Sequence, residues 1–239
     1  MKQSTLLLVF SLLLVSNSFF AQESNLKQPI SEEEAIYLKA IIGMIAESDQ
    51  EYRTYISANT MDDQIIAQMD SVYEAEGMEA YIEYEKSLNL KMDKNLKDSL
   101  WNLQHEIDLQ NHLTLRGIFD SYGYLPKTLL KENHYVQFIV LLHPPKDWDI
   151  PTYLDDYSDL LMKEVKAGRM EAKEYATFYD NINGKILRKP QLYGTNMVFD
   201  SKTNSVMPPP IEDIEKTNIA RVEIGLEPLK EGEYTLIEK

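Results

Sequence analysis

Apolar residues recur at helical spacing through the first two thirds of this chain. Ser31 followed three residues later by Glu34 forms a capping box, and Ile36, Ile41, Ile42 and Ile45 continue at helical intervals, predicting a helix over 32–57 broken near Ser48. Met61 to Leu90, rich in Glu, Ala, Met and Tyr, reads as two charged helices bent at Gly77, an arm with less core contact than the rest. From Asp93 to Tyr122 the stripe Leu96, Leu100, Leu103, Ile107, Leu115 and Phe119 predicts the longest helix, ended by the Gly123 to Pro126 segment. Asn133 to His143 is apolar nearly all round, which places a helix at the centre of the core, stopped by Pro144 and Pro145.

Pro151 suits the first turn of a helix over 152–167, with Gly168 as its C-terminal cap, and a shorter helix over 171–181 precedes Gly184. The character then changes. Leu192 to Phe199 and Ser205 to Met207 read as strands of a β-hairpin around a polar turn at Asp200 to Asn204. Pro208 to Pro210 forms a stiff extended link, and a last helix over 214–224 ends at Gly225. The fold class is mainly α: a multi-helix single domain with a small C-terminal β-hairpin, without internal repeats or a Gly/Ser linker.

The N-terminus has a separate pattern. Lys2, an apolar run from Leu6 to Val15 and small Ala21 follow the order of a cleavable secretory signal peptide, although Phe19 fits poorly two residues before the cut. The run is about ten residues, whereas a bilayer-spanning helix needs roughly 20. The expected organisation is a signal peptide at 1–21, a flexible tether at 22–30 and a helical domain at 31–239, with a helical-hairpin arm at 60–95. The expected destination is the periplasm or the medium, with no stable membrane anchor after cleavage.

The chain has no cysteine, so disulfides do not brace it, and 44% hydrophobic residues are enough to build a core. A formal charge of −15 repels phosphate backbones, which argues against a nucleic-acid partner. The acids Glu32 to Glu34 complement the positive end of a helix.

Candidate chemistry is sparse. Cysteine nucleophiles, Gly-rich phosphate loops, His-Glu-x-x-His, Gly-x-Ser-x-Gly and calcium loops are all missing from the sequence, and no cofactor is implied. His105, Asp108 and His112 share one helical face and could present metal ligands. The stripe continues to Arg116 and Asp120, however, and alternating charge every four residues is more commonly a solvated surface, so no metal is assigned. His143 ends the apolar helix, where the helix C-terminus favours its protonated form. It either caps the last carbonyls or acts functionally. Asp49 and Arg53 form an i,i+4 pair, by default a surface salt bridge. Asp180 caps a turn or faces a cleft, and Gln191 to Asn196, around Gly194, makes either a bulged strand or a pocket.

Gln191-Leu192-Tyr193-Gly194-Thr195 after a helix bearing Asp180, and Arg221 ahead of Gly225-Leu226-Glu227-Pro228-Leu229, resemble an uncharacterised bacterial domain-of-unknown-function family common among exported proteins. Asp49-Gln50 with Arg53, Asp108 with Asn111, Gly123-Tyr124 with Pro126, and His143 resemble that family's other polar positions. The chain departs from the pattern at Asn181 and Asn196. The resemblance implies no activity. It supplies candidate ligand-binding residues (Asp49, Arg53, Asp108, Asn111, Gln191, Tyr193, Thr195 and Arg221) beside the candidate catalytic pair His143 and Asp180.

Three functional readings follow. The first is an exported binding or interaction domain of the cell envelope, with an unknown small molecule or envelope protein held in a cleft formed by the Tyr193 loop, His143 and Arg221. The second is a hydrolase or transferase with His143 as general base, oriented by Asp180 or Asp108, while Arg221 or Arg53 steadies an anion. The third is a structural envelope protein. Convergence of His143, Asp180, Gln191 and Arg221 on one pocket would favour the first two readings; scattered positions would count against both.

Overall fold

The computed structural model describes residues 27–200 and 205–237. The expected signal peptide, most of the expected tether and the tip of the expected hairpin fall outside the described residues. The chain opens with α1 (Glu32–Asp49), whose capping box forms as its sequence implies: the Glu34 N–H donates to Ser31 Oγ at 3.3 Å, and the Ser31 N–H to Glu34 Oε2 at 2.8 Å. The helix breaks after Asp49 and resumes as α2 (Arg53–Ala58). Its buried face is Leu38, Ile42 and Ile45, whereas Ile36 is 71% exposed. The true phase of the stripe runs 38, 42, 45, and its next member is Asp49.

The arm is a helical hairpin of α3 (Asp63–Glu76) and α4 (Met78–Leu88), bent at Gly77 and closed by an edge-on contact of Tyr73 with Tyr81. Met69 is the buried residue of α3, and α4 has none. Asp93 caps α5 (Lys94–Tyr122), accepting the N–H groups of Asn95 and Leu96. Gly123 ends it at φ 80, where a Cβ would lie 2.7 Å from both Arg169 Nε and Glu164 Oε2. Half-buried Arg169 pairs with buried Glu164, which also accepts the Tyr124 N–H at 2.9 Å.

The apolar helix is shorter than its composition suggests. A single turn, α6 (Lys127–Leu130), leads through Lys131 at φ 52 into a 3-10 turn, and only Tyr135–Leu141 is α-helical, as α7. It is not apolar-packed all round. Val136, Gln137, Val140 and Leu141 face inward against α1, α5 and α9 (Ala172–Asp180), while Tyr135 is 56% exposed. Pro144 bars helical continuation, so Leu142 and His143 close the end with tight bonds to Ile139 O and Val140 O.

Asp149 caps α8 (Ile150–Lys166), and a short reversal through Gly168 leads into α9. Helix α9 continues into a π-helical turn, Asn181–Ile186, that runs through Gly184. The hairpin consists of β1 (Val198–Asp200) and β2 (Ser205–Met207), antiparallel with Val198 opposite Met207. Leu192 to Met197, predicted as strand, is instead a loop folded around Asp180. The Pro208 to Pro210 link enters a second small sheet: β3 (Pro210–Ile211) pairs in parallel with β4 (Thr235–Leu236), a strand too short and polar to be read from the sequence. Between them lies α10 (Ile214–Glu223). The fold is mainly α, with its core among α1, α5, α7, α8 and α9. No helix of the described residues is long and apolar enough to cross a membrane.

Candidate functional site

The candidate residues fall into two separate polar networks. The first lies where the break between α1 and α2 meets α5 and the end of α7. Asp49, 3% exposed, faces His143: its Oδ1 is 3.1 Å from His143 Nδ1, and Gln50 Nε2 donates to its Oδ2 at 2.6 Å. Arg53 spans the site, donating from Nη1 to the Asp49 carbonyl at 2.6 Å and from Nη2 to Asp108 Oδ2 at 2.8 Å. Gln104, wholly buried, donates to Asp108 Oδ1 at 3.1 Å and accepts the Tyr52 N–H at 3.0 Å, which fixes the main chain between α1 and α2. Asn111 accepts from Ser48 Oγ at 3.2 Å, and its amide nitrogen is buried without a partner among the described residues.

These positions correct three expectations. The Asp49–Arg53 pair is buried rather than superficial. His143 does not use its side chain to cap carbonyls; Asp49 holds it. The charged stripe of α5 is solvated only toward its end, where Arg116 pairs with exposed Asp120, whereas Asp108 and His112 are 3% and 0% exposed. Leu100, Gln104, Asp108, Asn111, Leu115 and Ile118 form one buried helical face, so the signal was the phase of the polar residues against Leu100 and Leu115. Asp108 serves Arg53, His112 turns into the core and His105 stacks on Trp101, and among the described residues no group of three His, Asp or Glu side chains could hold a metal.

His112, weighed from the sequence only as a metal ligand, instead joins the network to a cleft. Burial lowers its pKa to about 4, against hydrogen bonds to main-chain carbonyls that work the other way, so the ring is neutral at pH 7. Its Nε2 lies 3.0 Å from the His143 carbonyl, an acceptor, which requires the proton on Nε2 and leaves Nδ1 to accept from Tyr157. The same ring packs edge-on against Trp148, Tyr153 and Tyr157. Burial works to raise the Asp49 carboxyl, but the hydrogen bond and charge of His143, with Arg53 and Gln50, hold it below the ordinary carboxylate range.

Trp148, Tyr153 and Tyr157 line a cleft of about 400 Å³, rimmed by Asp147, Asp149, Asp156 and Arg116. Trp148 and Asp147 also border a neighbouring cleft of about 410 Å³ that includes His105 and Glu106. Asp149 is occupied as the cap of α8, and Arg116 is paired with Asp120. Asp147 and Asp156 make no ion pair among the described residues.

The second network is centred on Asp180, at the end of α9. The N–H groups of Leu192 and Tyr193 donate to its Oδ1 at 2.8 and 3.0 Å, while the Thr195 N–H and hydroxyl donate to Oδ2 at 3.0 and 2.9 Å. Gln191 Oε1 accepts the N–H groups of Thr195 and Asn196, and its Nε2 donates to the Asn196 carbonyl. Arg221 donates to the carbonyls of Tyr193 at 2.6 Å and Glu227 at 2.7 Å, tying α10 and the chain after it to the same loop. Gly194 sits at φ 62, where a Cβ would meet Leu229 Cδ1 at 2.7 Å. Burial pushes Asp180 above the ordinary carboxylate value against these four donors, and it lowers Arg221 while the Asp180 charge opposes that shift.

Among the described residues no hydrogen bond or ion pair joins the two networks. Ring contacts run from His112 to Tyr157 and on to Phe178 of α9, and stop short of the Asp180 loop. His143 is therefore not oriented by Asp180 or Asp108, and Arg221 and the Tyr193 loop do not form a cleft with it. The shared pocket expected from the sequence is two structures with different chemistry, so the binding and enzymatic readings both fail in the form that placed His143, Asp180, Gln191 and Arg221 around one cleft. No family model matches the chain, and neither curated proteins nor solved structures give a match.

Proposed function

We propose that the protein is an exported binding domain of the cell envelope whose site is the Trp148 cleft and whose ligand is small, peptide-like and positively charged. The observation that carries this reading is the composition of the cleft. Its lining combines Trp148 with the buried Tyr153 and Tyr157, Arg116 lying over the Tyr157 ring, and a rim on which Asp147 and Asp156 have no ion-pair partner among the described residues. Aromatic faces hold aliphatic stems and cations, and free carboxylates at the rim supply charge complementarity. The leader-like pattern of Lys2, Leu6 to Val15 and Ala21 supports export, and protein recovered from a periplasmic extract with an N-terminus near Gln22 is the outcome that reading requires.

Calorimetric titration with end-blocked tri-lysine tests the cleft. Saturable binding that weakens with salt and drops at least tenfold in Trp148→Ala and in Asp147→Asn/Asp156→Asn supports it. Equal response to tri-glutamate, or no response, rejects it.

The Asp49–His143 pair favours a second reading. A buried carboxylate on Nδ1 orients an imidazole whose Nε2 has no hydrogen-bond partner among the described residues, which is the arrangement of a general base acting on water. Hydrolysis of a peptide or ester substrate that disappears in His143→Gln, with folding unchanged, would establish it. Retention of that hydrolysis in the variant would discard it.

A further inference from the structure

The C-terminal part of the molecule carries a second cavity with the opposite electrostatic character. A pocket of about 430 Å³ opens between the π-helical turn after α9, the Asp180 loop and the β3–β4 sheet. Lys185, Arg188 and Lys189 all border it, three cations within five residues of a chain whose formal charge is −15. All three are exposed, and none makes an ion pair among the described residues. Arg188, at φ 57, is the left-handed residue that closes the π-helical turn, where the Lys189 N–H donates to the Asn183 carbonyl.

Two further features indicate what the cations face. The amide nitrogen of Asn196, which also borders the pocket, is buried without a hydrogen-bond partner among the described residues, a donor left without an acceptor. The remaining wall is apolar and uncovered: Met197 is 67% exposed, Val198 43% and Ile237 42%. Asp180 and Gln191 contribute to the floor, but their acceptor atoms are occupied by the loop N–H groups, so the carboxylate is screened from the cavity. At about 30 Å³ per water-sized group the pocket holds roughly a dozen or more non-hydrogen atoms, comparable to a medium-length fatty acid.

From this juxtaposition we infer that the pocket bordered by Lys185, Arg188, Lys189 and Asn196 binds a single-chain anionic amphiphile. The carboxylate or phosphate head lies among the three cations and the Asn196 amide, and the acyl chain lies along Met197, Val198 and Ile237. Charge places the head and apolar burial places the tail. The site is independent of the Trp148 cleft and of the reading built on it.

Calorimetric titration of the protein with monomeric dodecanoate and dodecyl phosphate tests the inference, with dodecyltrimethylammonium as a probe of equal chain length and opposite charge. The expected result is saturable binding at one site by the anions, at least tenfold tighter than the cation. Lys185→Gln/Arg188→Gln/Lys189→Gln should lose at least tenfold in anion affinity, and Met197→Asp should lose a similar factor, while both keep the wild-type circular dichroism and melting temperature. Because the three cations are exposed and unpaired, the triple variant is expected to fold. Equal affinity for the cationic amphiphile, undiminished anion binding in the triple variant, or no binding at all overturns the proposal. Association with phosphatidylglycerol vesicles but not with monomeric dodecanoate overturns it too, since that outcome describes a membrane-facing surface rather than a ligand pocket.

Discussion

The two polar networks contain similar residues but use them differently. Around Asp49, charged side chains meet one another: carboxylates face Arg53 and His143, and the His143 ring remains 26% exposed. Around Asp180, side chains meet main chain, and each carboxylate oxygen takes two donors from one loop. The first arrangement leaves a ring nitrogen available to react with or bind something else. The second leaves no oxygen of Asp180 over. A buried acid surrounded by backbone N–H groups is a folding device, because it sets the path of a loop that has no secondary structure of its own. The first network thus keeps a ring nitrogen for the chemistry proposed above, whereas the carboxylate of the second sets the path of a loop.

The largest effect should come from breaking the second network. Asp180→Ala leaves the N–H groups of Leu192 and Tyr193 without an acceptor, at about 1–3 kcal/mol each, while Thr195 keeps Gln191 Oε1 and the Ala176 carbonyl, so a loss of about 2–6 kcal/mol is expected in urea unfolding. Protection of the β3–β4 amides in hydrogen exchange should fall with it. Asp180→Asn retains one acceptor oxygen and should lose less.

Acid should weaken the first network while sparing the second. His112 has a folded pKa of about 4, below its unfolded value near 6.5. The unfolded chain therefore takes up the proton first, and stability is lost as pH falls from about 6.5 to 4, by up to about 3 kcal/mol. Asp49, held below its ordinary value, adds a contribution present above the unfolded carboxylate pKa and lost as pH falls through the folded one. Asp180 has the opposite sign: its folded pKa is raised, so its contribution is full below the unfolded value and lost as pH rises through the folded one. Urea midpoints measured from pH 7 to 4 should fall, and His112→Phe should flatten the slope. Hydrogen exchange at pH 5 should loosen the break between α1 and α2 before the Asp180 loop.

A smaller loss, about 1–3 kcal/mol, is expected for Asp49→Asn, because its partners Arg53 and His143 retain some access to water. The smallest effect belongs to the arm. Tyr81→Ala removes the edge-on contact with Tyr73 and should cost about 1 kcal/mol locally, speeding amide exchange over 63–88 with little change in the global unfolding midpoint.

Much of the helical order was legible because caps and stripes are local. Ser31 and Glu34, Asp93, Gly123 and Pro151 each act within one turn, and the structure uses them where the sequence puts them. The polar networks were legible as residue types but not as neighbours. Asp49 and His143 are 94 residues apart, and their meeting depends on how α1 and α7 cross α5. Leu192 to Met197 has strand-forming residues, but the acceptors on Asp180 captured the N–H groups that a strand would have paired. The burial of Asp108 and His112 could have been read from their phase with Leu100 and Leu115; the Trp148 cleft could not, since it forms only when α5 and α8 pack through the His112 ring.

Backbone amide chemical-shift mapping with end-blocked tri-lysine tests most directly the division between a binding face and a holding framework. Perturbations confined to residues 147–157, 112 and 143, with the amides of residues 180–196 unmoved, are the predicted result. Perturbations centred on the Asp180 loop, or none that saturate, would contradict it.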